Sequence, residues 1–401
     1  MKAAGIIVEF NPLHNGHVEH LCETRRLTKR EHIIAVMSGN FVQRGEPAIC
    51  DKWRRTQMAL MAGVDIVIEL PVGYVISGAD YFARAGIGLL AATGVVDKIC
   101  FGSESGDLAF IKDAGHVLAQ EPAEYKEVLR QRLSQGLSFA AARGAALETL
   151  LGHVPEGLLS KPNNGLGIEY CKALWQLGWP MEAVTSFRAV GGPSATAIRR
   201  AVWDGKRNIG LAANPISENA KNIIAKQMPP FAQKILHEAI EANELAKLDD
   251  FSNIFRYLLF TREFEMGEGL ENRFRRFARF HNNLTELLDA VKTKRYTYTR
   301  LQRAALGLII GAKVGMANCK NMVNPAYIRV LGFRRGAAGL LSDMTRQACL
   351  PVITHGEAMD QLEGLAASML AREFEAGDIY RMAFDGTCGY RHERGVPLVM
   401  V

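Results

Sequence analysis

The stretch Gly5-Ile6-Ile7-Val8-Glu9-Phe10-Asn11-Pro12-Leu13-His14-Asn15-Gly16-His17 decides how this chain is read. Its first half is a β-branched apolar run, and its second half is a turn that opens an amphipathic segment from Val18 to Leu27. A strand that runs straight into a helix puts the HxGH string at the helix N-terminus. Unpaired backbone N–H groups and the positive end of the helix dipole attract an anion there. Gly16 lets a phosphate come close to the backbone. His14 and His17, three apart, project together and can donate hydrogen bonds to phosphate oxygens as negative charge shifts toward a leaving pyrophosphate. His14, His17 and His20 could also be read as metal ligands. The first lies ahead of the helix, however, and no cysteine or carboxylate pair completes a set, so no metal site is expected.

Outward from this stretch the same alternation continues to about residue 210. Runs at 4–10, 33–37, 64–69, 95–101 and 181–187 read as strands, separated by segments of helical spacing. The pattern predicts a Rossmann-like parallel α/β sheet over 1–210, with a helical excursion before the fifth strand. From 211 to 323 the strand signals fade and consecutive helices are predicted. Residues 324–401 turn mixed again, with strands at 327–331 and 350–354 and a helix at 356–372, and read as a small mixed α/β C-terminal region.

A length of 401 residues with 48% hydrophobic and 22% charged side chains excludes a single small module and wholesale disorder. No apolar run approaches the roughly 18 residues of a membrane helix, and the amino-terminal segment lacks a small-residue cleavage site, so a cytoplasmic protein is expected. The seven cysteines form no CxxC pair, which argues against a disulfide framework or a zinc ribbon. The net charge of +6 is uneven: residues 251–350 hold 17 basic and 7 acidic side chains, a surplus of ten. Such a concentration points to a polyanion partner.

A second anion signal follows the fifth strand. Ser194-Ala195-Thr196-Ala197-Ile198-Arg199-Arg200 brings two hydroxyls to a helix start and two guanidiniums just inside it. Ser194, Thr196, Arg199 and Arg200 are therefore candidates for a phosphate clamp, with an N-cap and a solvated basic face as the plainer reading. Gly102, at the C-terminal end of the fourth strand, could let an adenine or ribose lie on the backbone. No Walker A or GxGxxG string is present.

Together, FNPLHNGH, VMSGNFVQRGEPA, DIVIELP, FGSESGD, SKPNN, KTKRYTYTRLQR and AYIRVLGF, spread from Phe10 to Phe333, resemble the bacterial tRNA(Met) cytidine acetate ligase family. That family belongs to the HxGH nucleotidyltransferases. The resemblance implies that ATP and acetate form acetyl-adenylate, and that the acetyl group passes to N4 of the wobble cytidine (C34) of elongator tRNA(Met). Mg2+ is expected with ATP, and no protein partner is implied. By the same resemblance, ATP is held by Ile7, Val8, Glu9, Phe10, Asn11, Pro12, Leu13, His14, Asn15, Gly16, His17, Val18, Glu19 and His20, with Gly102, Asn163 and Arg188. His14 and His17 carry the catalytic role. The chain departs from the pattern near the clamp: only Ala189-Val190-Gly191-Gly192-Pro193 separates Arg188 from Ser194, and Ala197 replaces the more usual serine.

The glycine-rich segment after the second strand suggests a cover for acetate, with Asn40, Gln43 and Arg44 as its polar groups; an ordinary surface loop is the alternative. For the tRNA, Lys294, Arg295, Tyr296, Arg300 and Arg303 alternate cations with aromatics, and Arg275, Arg276 and Arg279 extend the basic patch. Two rivals share parts of this evidence: an adenylyltransferase acting on a phosphorylated cofactor precursor, and a non-catalytic RNA-binding protein on a degenerate nucleotide fold. The first leaves the basic helices unexplained, and intact His14, Gly16, His17 and Arg188 count against the second.

Overall fold

In the computed structural model the described residues are all of 1–401 except 153, 155–157, 160, 189–190, 208–216, 265, 268, 294–295, 312–323 and 385–392. The predicted runs become β1 (Ala3–Val8), β2 (His32–Ser38), β5 (Ile66–Leu70), β6 (Val96–Ser103) and β7 (Glu182–Phe187). A two-stranded hairpin, β3 (Phe41–Val42) and β4 (Glu46–Pro47), intervenes. The parallel strands lie in the order β5-β2-β1-β6-β7, so the chain reverses direction across the sheet between β1 and β6. In such sheets that crevice, beyond the C-terminal ends of the strands, is where ligands bind.

Helices α1 (Asn15–Thr28), α2 (Lys52–Met61), α3 (Val72–Val75), α4 (Ala79–Ala92), α5 (Leu108–Gln120), α6 (Ala123–Ser134), α7 (Phe139–Leu151), α8 (Pro162–Leu177) and α9 (Ala195–Arg207) accompany the sheet. The helical region follows as α10 (Glu218–Gln227), α11 (Pro230–Glu241), α12 (Ser252–Thr261), α13 (Leu270–Phe277), α14 (Leu284–Val291) and α15 (Tyr298–Ile309). Side-chain caps at Asp51, Ser138, Ser217, Asn283 and Thr297 start five of the helices where the sequence offers an oxygen. Among the described residues no helix is long and apolar enough to cross a membrane.

The C-terminal region does not stand apart from the first sheet. Its strand β8 (Ile328–Phe333) pairs antiparallel with β5, β10 (Val399–Met400) pairs with β8 on the far side, and β9 (Val352–Ile353) pairs with the start of β8. The helix expected over 356–372 runs instead over Gly364–Arg381, after a short 3-10 turn at Gly356–Met359.

Charges buried behind the sheet explain this return. Lys52 donates to Glu69 at 2.6 Å and contacts Glu393, while Arg329 reaches Glu69 at 2.8 Å and Glu393 at 3.3 Å. All four side chains are at most 3% exposed. Glu373, from the last helix, accepts the Val72 N–H at 2.6 Å. Burial, then the neighbouring Glu69 charge, push its carboxyl up to about 8. Removing one partner from such a set strands another charge in the interior. Arg329→Ala is therefore expected to lower the unfolding free energy by about 3–5 kcal/mol in urea titrations.

Candidate active site

The site is built where β1 ends. Phe10 adopts a left-handed φ of 46°, and Asn11 anchors the turn by accepting the Ile49 N–H on its side chain at 2.7 Å. His14 then caps α1 in an extended conformation. The His14 N–H donates to His17 Nδ1 at 3.2 Å, which leaves Nε2 of a neutral His17 as the N–H donor. The two rings stack at 3.7 Å with 18° between planes, and Phe10 packs edge-on against His17 at 4.9 Å. A Cβ on residue 16 would lie 3.2 Å from the His14 ring, so a side chain there would crowd the pair. Nδ1 of His14 is buried and has no hydrogen-bond partner among the described residues.

These histidines are neutral at pH 7. Burial first, then Arg188, lower His14 to about 4. The same two causes bring His20 to about 4, and His17 is driven well below its ordinary value by burial, His14 and Arg188. His20 Nδ1 hydrogen-bonds Ser186 at 2.8 Å. Because the unfolded chain protonates these rings first, below about 6.5, their neutrality stabilises the fold fully above that pH. That contribution is lost as pH falls toward 4. In urea titrations across that window, a His14→Gln/His20→Gln variant should show a shallower loss of stability than the wild type.

The opposite wall comes from β6 and β7. Gly102 sits beside Ser186, and a Cβ there would meet nothing nearer than Arg188 Cβ and Ser186 Oγ at 4.0 Å, so the backbone is open above it. Arg188 follows β7, its N–H on the Ser103 carbonyl at 2.8 Å, and its exposed side chain has no carboxylate partner among the described residues. The Asn163 side chain donates to Glu104 at 2.8 Å. Asn164, which sequence reasoning passed over, is the buried member: its Oδ1 accepts the Glu104 and Ser105 N–H groups at 2.9 and 3.2 Å and so ties α8 to the end of β6.

The clamp divides. Ser194 caps α9 through the Ala197 N–H, and Pro193 lies 3.9 Å from a Cβ placed on Gly16, so the starts of α1 and α9 converge. Thr196 and Arg200 are exposed. Arg199, expected on phosphate, is instead a strut: it donates to the Asn11 carbonyl at 2.7 Å and to Glu46 at 2.9 Å. Its guanidinium satisfies a buried turn and a carboxylate, which holds the hairpin against the site.

The acetate cover is likewise more structural than expected. Asn40 is buried and accepts the Lys52 N–H at 2.8 Å. Gln43 donates its backbone N–H to Glu9 at 2.6 Å, and Arg44 is exposed at the hairpin. Burial raises the Glu9 carboxyl above its ordinary value. Sequence reasoning also missed Arg55, fully buried, whose guanidinium donates to the carbonyls of Glu9 at 2.6 Å, Ser38 at 3.1 Å and Cys50 at 3.2 Å, and to Gly39. Its signal was a cation on the apolar face of α2.

Of the residues expected on RNA, Arg276 and Arg279 are exposed on and just beyond α13. Lys294 and Arg295 lie outside the described residues. Tyr296 is buried beneath Arg300, 5.1 Å from its ring, so it cannot stack on a base. Arg275 donates to the Leu259 and Arg262 carbonyls at 3.1 and 3.2 Å, closing the end of α12. Arg303, half-buried, points back to the Gln43 carbonyl at 3.5 Å. Among the described residues no group of three His, Cys, Asp or Glu could hold a metal.

Known proteins share this arrangement. The family described as HIGH Nucleotidyl Transferase matches residues 1–394. A tRNA(Met) cytidine acetate ligase of Caldanaerobacter subterraneus subsp. tengcongensis is 40% identical over 96% of each chain. Its namesake in Acetivibrio thermocellus is 35% identical over 96% of this chain and 95% of its own. The crystal structure of Thermotoga maritima TmcAL bound with alpha-thio ATP superposes over 100% of both chains with a TM-score of 0.88 at 32% identity.

Proposed function

The chain belongs to the HIGH nucleotidyltransferase family and, within it, to the tRNA(Met) cytidine acetate ligases, and on that premise we propose that it uses ATP to acetylate elongator tRNA(Met). Acetate attacks the α-phosphorus and displaces pyrophosphate. The N4 amine of C34 then attacks the acetyl carbonyl of the adenylate and releases AMP, leaving N4-acetylcytidine. The observation that carries this reading is the stacked His14/His17 pair at the joined starts of α1 and α9, with Arg188 close enough to act on His14 and a buried His14 ring nitrogen that has no partner among the described residues.

The enzyme has little covalent work to do in the first step; it positions and stabilises charge. Neutral His17 donates from Nε2, backbone N–H groups at the two helix starts receive phosphate oxygens, and Arg188 supplies the positive charge. Gly102 leaves room for the nucleoside, and Asn163 keeps an amide oxygen for it. Arg199, Arg55 and the Glu9–Gln43 bond keep the hairpin closed over the acyl end, which limits hydrolysis of the adenylate. Mg2+ would arrive on the triphosphate, held by phosphate and water rather than by a protein cage. The cytoplasm, where ATP and free tRNA meet, is the setting.

Acetate-dependent exchange of labelled pyrophosphate into ATP tests the first half without RNA. For the second half, Arg276 and Arg279 are exposed cations among the residues expected on RNA. The Arg276→Ala/Arg279→Ala variant should weaken tRNA binding and lower the slope of log affinity against log salt by about 2. An unchanged slope in anisotropy titrations would move the phosphate contacts elsewhere.

A further inference from the structure

Three large aromatic side chains of the helical region stand in solvent: Tyr257 is 66%, Phe260 46% and Phe280 78% exposed. The region does not lack aromatic core, since Phe251, Phe255 and Phe274 are fully buried in it. On α12 the inward face is Phe255, Leu258 and Leu259, so Tyr257 and Phe260, three apart, share the outward face. The Arg256 guanidinium donates to the carbonyl of His281, the residue after Phe280, and so ties the segment that carries Phe280 to α12. Arg275 locks the same two helices together through the Leu259 and Arg262 carbonyls. The two segments that carry the rings are therefore tied to one another through their backbones. Arg262, Arg276 and Arg279 are exposed on the same two segments, in the stretch with the surplus of ten positive charges, and Glu263 is an exposed carboxylate there among the described residues.

We infer that Tyr257, Phe260 and Phe280 form a stacking platform for unpaired bases of the RNA substrate. An apolar protein partner would leave the surrounding guanidiniums buried and unpaired. A nucleic-acid loop satisfies both at once, its phosphates on the cations and its open bases on the rings. This rests on the reading of the substrate as tRNA and adds that the enzyme senses a splayed single-stranded loop, through residues that carry no charge.

The test compares a stem-loop bearing the anticodon loop of elongator tRNA(Met) with a fully paired RNA of the same phosphate count. The full-length wild type is expected to prefer the stem-loop by at least tenfold. Tyr257→Ala/Phe260→Ala/Phe280→Ala should lose that preference, with about tenfold weaker stem-loop binding per ring that stacks. The salt slope should not change, because no cation is removed. Unfolding midpoints confirm that these surface substitutions leave the fold intact. Equal weakening on both RNAs, or no weakening, overturns the platform; so does conversion of a dimer to a monomer in sedimentation, which would make the patch a contact between copies. Acetate-dependent pyrophosphate exchange by the wild type, which needs no RNA, tests the ligase reading separately.

Discussion

His17→Ala should lower acetate-dependent adenylate formation by about 100- to 1,000-fold, the loss seen when one preorganised donor to developing negative charge is removed from a closed site. The expectation follows from a single ring orientation. Nδ1 is committed to the His14 N–H at 3.2 Å, so the remaining proton sits on Nε2, and burial keeps the ring uncharged. A neutral donor has a distinctive pH signature. A cationic histidine of ordinary pKa would lose activity as pH rises through about 6.5; here the exchange rate should stay level from pH 6.5 to 8. His17→Asn, with an amide that can both accept and donate, should recover part of the loss. Wild-type activity in the alanine variant would remove His17 from the phosphate site.

Gly45→Ala should cost far more stability than Gly136→Ala, although both glycines have a φ of 86°. The backbone strain of an alanine is therefore shared, at about 1 kcal/mol. Gly136 has nothing within 4 Å, whereas a Cβ on Gly45 would lie 2.6 Å from the Arg303 backbone nitrogen and 2.7 Å from Gln302 Cβ. That overlap adds about 1–3 kcal/mol, because α15 or the hairpin must shift. The contact is where the hairpin meets the helical region, and Phe41 of the hairpin lies in that region's core with Phe251 and Tyr380. Urea unfolding of the two variants measures the difference; equal losses would mean that the hairpin is not seated on α15.

Much of this was legible because buried parallel strands announce themselves as unbroken β-branched runs, as at Ile33–Met37 and Ile66–Ile68. The HxGH junction carried the site, and the structure brings His14, His17, Gly102 and Arg188 to one crevice. What was hidden is pairing between distant residues. Nothing local tells that Ile328–Phe333 lies against β5, yet Glu69 and Arg329, charges inside apolar runs and 260 positions apart, are partners. The string KTKRYTYTRLQR also does work in the fold that its composition does not announce. Its composition suits RNA, but Thr297 caps α15, Gln302 and Arg303 seat the hairpin and Tyr296 is buried, so these four side chains serve the fold. Arg199 was hard to place from sequence because a guanidinium near a helix start serves a carbonyl and a carboxylate, as it does here, as readily as a phosphate.

The central claim is most directly tested by incubating the purified protein with labelled acetate and elongator tRNA(Met), with and without ATP, and digesting the RNA to nucleosides. Label found in N4-acetylcytidine only when ATP is present is the predicted result. Confirmed ATP binding with no label in the tRNA would contradict it and leave an adenylyltransferase acting on another acceptor.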